Sequence, residues 1–158
     1  MFVRDFFHVQ RPFEAVAPRF VKDARWLDPS VGDAIHEAVA LARILGRASG
    51  ASDSGTSPSA ERFGRAHVDR GELRTRANGL VLPIQWSNQF EPSWFPALEC
   101  DLEIAPMGSS ASELVLNASF DTKIDIVLAQ RVVEMGVRAF LRNVAIVLES
   151  ATRGTPPP

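Results

Sequence analysis

Few residues in this chain are of types that do chemistry, and their spacing limits what they can do. Three histidines, His8, His36 and His67, are far apart in sequence. A metal site would need the fold to gather them with a carboxylate, so no metal centre and no cofactor is expected. Cys100 is the single cysteine. It falls on the apolar side of an alternating segment with no base beside it, which reads as an inert buried thiol and not a nucleophile, and alone it forms no internal disulfide. Glu99, Asp101 and Glu103 share one side of that segment. They lie near one another on a strand, but acid–base catalysis also needs burial to shift a pKa, and a solvated strand face accounts for them. Arg62, Arg65, Arg70, Arg74 and Arg76 are interleaved with Glu61, Asp69 and Glu72. Without aromatic stacking partners they read as a solvated sheet face and not a nucleic-acid surface. No P-loop, GxGxxG, GxSxG or HExxH pattern is present.

The aromatic residues carry more. Trp86 and Phe90 share the inward parity of one alternating strand, and Trp94 and Phe95 follow in a loop stiffened by Pro92 and Pro96. Large aromatics of this kind line small-molecule pockets, and they also fill cores; Trp26 has the same two readings. The candidate ligand-binding set is Trp86, Phe90, Trp94, Phe95, Leu98, Trp26 and Phe140, with Gln85 as a polar group fixing orientation. His67 and Asn88 are weaker candidates for that polar role.

The elements that must position this set are legible as periodicities. Leu82, Ile84, Trp86 and Phe90 occupy one side of a strand. Leu98, Cys100, Leu102 and Ile104 do so in the next, and Leu114, Leu116, Ala118 and Phe120 in the one after. Period-two alternation means an antiparallel sheet with one buried and one wet face. From about Ile124 to Leu148 the period becomes helical, with Ala129, Val133, Val137, Phe140, Val144 and Leu148 on one side. A sheet with one apolar face needs a cover, and this helix supplies it.

Upstream, residues 2–10 read as a first strand and 13–22 as a short helix kinked or broken at Pro18. A turn is expected at Asp28-Pro29-Ser30, then a helix N-capped by Asp33 and running to Gly46. Residues 49–60 read as a flexible loop and 151–158 as a disordered tail. Two short strands are expected over 62–76 with a turn near Asp69–Gly71. Asn78-Gly79 is a hairpin signal because both residues tolerate positive φ. Met107–Ser110 forms the next turn.

At 158 residues, 46% of them hydrophobic, the chain suits one globular domain over 1–150. A net charge of −2 gives no global attraction to nucleic acid or an anionic membrane. Arg4 and Asp5 interrupt the first apolar run, unlike a signal peptide. No uncharged apolar run nears the roughly 18 residues of a membrane span, so a cytoplasmic location is the default expectation.

The stretches RPFEAVAPRF, ARWLDP, VLPIQWSNQFEPSWFPALECDLEIAPMG and VEMGVRAFLRNVAIVLE, with the order strand, two helices, antiparallel strands and long last helix, resemble the START-like or SRPBCC superfamily. The resemblance is to polyketide cyclase/dehydrase-like and birch-pollen-allergen-type proteins, especially actinobacterial members. It implies an α+β helix-grip fold, a curved antiparallel sheet wrapped around the C-terminal helix, and a ligand cavity between them. Members bind lipids, sterols, polyketides or hormones, and a minority catalyse cyclisation or aromatisation. The approach to the last helix, DTKIDIVLAQ, departs from the Pro/Gly-rich approach of those members, and no catalytic residue carries over. The leading expectation is non-catalytic binding of a small hydrophobic or aromatic molecule. The alternatives are a cyclase/aromatase-like enzyme and a pocketless interaction protein that forms a homodimer through its sheet.

Overall fold

A computed structural model describes residues 1–22, 27–48, 66–88, 96–122 and 126–150. Strand β1 (Phe2–Val9) is followed by helices α1 (Phe13–Lys22) and α2 (Leu27–Ala48). Then come β2 (Ala66–Arg70), β3 (Arg74–Arg76), β4 (Gly79–Asn88), β5 (Leu98–Met107) and β6 (Ala111–Ser119), and helix α3 (Ile126–Ser150) closes the order. The strands form one six-stranded antiparallel sheet in the order β1-β6-β5-β4-β2, with β3 beside β4. The first strand thus pairs with the last, and the fold is a helix-grip α+β arrangement.

The register turns the alternation of each strand into rows across the sheet. Leu82 pairs with Leu102 and Leu102 with Leu116, while Ile84 pairs with Cys100 and Cys100 with Ala118. Every one of these side chains is buried. A slip of one residue would turn a whole strand's apolar set to water, so the pattern itself selects this register. The outer face is wet. Arg76 meets Glu103 at 3.2 Å, Arg74 approaches Asp101 at 4.0 Å and His8 approaches Glu113 at 3.8 Å. Exposed pairs of this kind add little stability.

Helix α3 buries Ala129, Val133, Val137, Phe140, Val144 and Leu148, the stripe its period implies. It also buries Val132, Gly136, Ala139, Leu141 and Ala145, because it lies between the sheet and α2 and needs a wider apolar face. Its rim is tied down by charge. Arg138 Nε donates to Asp5 on β1 at 3.0 Å, the Arg142 guanidinium meets Glu37 on α2, and Glu149 accepts the Gln10 N–H at 2.9 Å.

Several local expectations change. Helix α2 begins at Leu27, so Asp28-Pro29-Ser30 is its first turn and not a separate turn, and Asp33 is an exposed residue inside the helix, not its cap. Pro29 suits a first turn, where its missing N–H costs nothing. Leu27, Val31, Ala34, Ile35 and Ala38 are one buried stripe that continues backwards through this turn. Helix α1 runs unbroken through Pro18. The hairpin between β3 and β4 turns at Ala77-Asn78, because Arg76 already pairs with Gly79. Gly79 therefore serves close approach and not turn geometry: a Cβ there would stand 2.3 Å from the Ile104 carbonyl oxygen. Gly108, in the β5–β6 turn, is the glycine with positive φ, at 68°. The loop 49–60 and the tail 151–158 lie outside the described residues.

Two substitutions test this packing. Phe140→Ala should cost about 3–5 kcal/mol in chemical denaturation, and a loss below about 1 kcal/mol would mean that Phe140 does not face the sheet. Gly79→Ala should cost about 1–3 kcal/mol by forcing β4 from β5 at the Leu80–Ile104 pair, whereas a neutral result would contradict the β4–β5 register there.

Candidate functional site

The sheet–helix layer brings three of the sequence-predicted residues together. Trp86 near the end of β4 pairs in register with Leu98 at the start of β5. Phe140, near the middle of α3, meets the Trp86 ring edge-on, with centroids 4.9 Å apart and planes at 64°. All three are at most 1% exposed. Edge-to-face pairs of this kind add about 0.5–1.5 kcal/mol beyond the area they bury. Inward parity places Trp86 and Leu98, and the helical stripe places Phe140, so the arrangement follows from both periodicities.

Gln85 is not part of this group. As the residue before Trp86 it has the opposite parity and is exposed on the outer face, opposite Glu99. It cannot orient a molecule beside Trp86, and its place in the alternation already carried that information. Trp26, Phe90, Trp94 and Phe95 lie outside the described residues. His67 and Asn88 occupy neighbouring positions of the β2–β4 pairing, where His67 pairs with Ser87 and Asn88 with Ala66. The connection 89–95 leaves β4 and enters β5 at the end of the sheet where Trp86 pairs with Leu98.

The chemistry of the layer is apolar. Among the described residues, its buried polar groups include Ser30, Ser112 and the Trp86 indole N–H, and the Ser112 hydroxyl donates to the Arg11 carbonyl at 2.8 Å. Cys100 lies 6% exposed on the inward parity. Burial pushes its thiol well above the ordinary range, with the neighbouring Asp101 and Glu99 adding to the effect. It is a protonated thiol and a poor nucleophile. No group of three or more His, Cys, Asp or Glu among the described residues is placed to hold a metal ion. No helix among them is long and apolar enough to cross a membrane.

A concavity of about 590 Å³ lies on the outer face instead, lined in part by Phe2, Asp69, Pro83, Gln85, Glu99 and Asp101. It opens to solvent on the opposite side of the sheet from Trp86 and Phe140. Phe2, Pro83 and Ile84 line it beside Arg70 and the carboxylates, and it lacks the enclosure that small-molecule sites use.

No family model matches the chain, and no curated protein matches it. Among solved structures it is similar to the Zhui aromatase/cyclase from Streptomyces sp. R1128, at 14% identity over 98% of this chain and 96% of that one, with a TM-score of 0.44. It is also similar to Ara h 8.0201, at 8% identity over 95% of this chain and 98% of that one, with a TM-score of 0.38. At this identity and overlap neither protein lends a residue role to this chain, whose helix-grip fold is read from its own strand order and register.

Proposed function

We propose that this protein binds a small hydrophobic or aromatic molecule, without catalysis, between the sheet and α3 beside Trp86. The observation that carries this reading is the edge-to-face pair of Trp86 and Phe140 in a layer built from apolar side chains. A flat aromatic entering there exchanges one ring contact for another, and its own burial contributes roughly 25 cal/mol per Å² before ordering costs. Little supports catalysis among the described residues: Cys100 is held protonated, and Asp5 is engaged by Arg138 at the rim.

One observation favours a second reading, a pocketless interaction protein. Trp86, Leu98 and Phe140 are packed against their neighbours with almost no exposure, as in a filled core. Binding separates the two. A panel of neutral polyketides, flavonoids and sterols, titrated at micromolar protein, should include members that change tryptophan emission saturably. Trp86→Leu keeps an apolar side chain and should weaken their binding about tenfold in equilibrium dialysis, a difference of about 1.4 kcal/mol. Absence of saturable binding across the panel would favour the pocketless protein, and unchanged affinity in Trp86→Leu would remove the site from this layer.

A further inference from the structure

Strand β1 ends the sheet order, so among the described residues no strand lies beside its outer edge. The hydrogen bonds at its start fix which backbone groups line that edge. The Met1 ammonium donates to the Phe120 carbonyl at 2.7 Å, and the Phe120 N–H donates to the Met1 carbonyl at 3.0 Å. In an antiparallel ladder such bonded pairs alternate with unbonded ones. Val3, Asp5, Phe7 and Val9 therefore bond to β6, whereas Phe2, Arg4, Phe6 and His8 turn their N–H and C=O groups to the open edge. The Phe6 N–H agrees, since it donates to the Asp5 carboxylate at 2.9 Å. The same edge carries exposed aromatics: Phe2 is 62% and Phe6 59% exposed. The opposite side of the sheet differs. There β2 has five residues and β3 three, and β3 carries Arg74 and Arg76. Short charged strands protect a sheet edge from other chains, and the eight-residue β1 lacks that protection.

We infer that this edge pairs with β1 of a second copy of the chain, antiparallel about a two-fold axis. A two-fold interface complements itself, residue i meeting j and j meeting i, and edge-facing residues must meet edge-facing residues. With Asp5 on the axis, Arg4 stands opposite the partner's Phe6, and Phe2 opposite the partner's His8. Each Arg4 guanidinium then meets an aromatic ring. Moving the axis to Arg4 or to Phe6 sets Arg4 against itself or against His8 and loses that contact. Asp5 already holds Arg138 of α3 at 3.0 Å, so the axis gathers two carboxylates and two guanidiniums, a balanced set of charges. The Phe6 N–H exchanges its bond to Asp5 for a carbonyl across the axis. One strand pair of this length stays below the roughly 1,200 Å² of a standard stable interface, so the dimer dissociates on dilution. Pairing here does not require a ligand in the inner layer.

Sedimentation velocity over a dilution series tests this, with circular dichroism as the check on folding. The wild-type chain should pass from dimer to monomer as it is diluted. Arg4→Pro removes an edge-facing N–H that β6 does not use, an orientation in which an edge strand tolerates proline. It should stay folded and dimerise at least about tenfold more weakly. Phe6→Lys keeps the backbone donor but sets a second cation against the partner's Arg4, and it should weaken the dimer by a similar factor. If Arg4→Pro unfolds, Phe6→Lys decides alone. A monomer at every concentration would overturn the inference and leave the edge to a strand of another protein. A wild-type dimer that the folded variants leave unchanged would also overturn it, because that dimer uses another surface. Association that continues beyond two copies would contradict the two-fold closure.

Discussion

The structure depends on one mutual burial. The sheet presents rows of apolar side chains that cannot face water, and α3 presents an apolar face too wide to be stable alone. Each is the other's solvent. Phe140 meets Trp86 edge-on across this layer. Side chains of this size bury about 150–250 Å² each, which at about 25 cal/mol per Å² corresponds to roughly 4–6 kcal/mol apiece before ordering costs. Helix α2 completes the burial by packing on α3, with Arg142 and Asn143 of α3 reaching Glu37 and Ser30 of α2. The pairing of β1 with β6 follows from the same need. It extends the sheet beneath α3, and Asp5 on β1 then holds Arg138 at the helix rim.

Much of this was legible in the sequence because two periodicities state it twice. The inward set from Leu82 to Phe120 and the helical stripe from Ala129 to Leu148 are each unambiguous, and each implies the other. What was not legible was local. The beginning of α2 was obscured because Asp28-Pro29-Ser30 has turn composition, although Leu27 and Val31 extend the stripe of Ile35 and Ala38. Gly79 was assigned to the turn because glycine tolerates positive φ, whereas its position is set by the Ile104 carbonyl on the neighbouring strand β5. That constraint is non-local and leaves no trace in the neighbouring residues. Within the candidate site, Trp86, Leu98 and Phe140 were found by periodicity, and Gln85 was misplaced by giving its chemistry more weight than its parity.

The two faces of the sheet divide polar from apolar chemistry. The outer face carries arginines, carboxylates and His8 in cross-strand pairs, and the inner face is mainly apolar, with a thiol that burial keeps protonated and, on β1, Asp5 engaged by Arg138 of α3. A binding role needs shape and apolar area, and the layer is built from apolar side chains.

The most direct test is an isotope-filtered nuclear Overhauser measurement on the protein loaded with phenylnaphthylamine. The account predicts contacts from the ligand rings to the Trp86 indole and the Phe140 ring. Contacts confined to the outer face, at Phe2, Pro83 or Gln85, would contradict it.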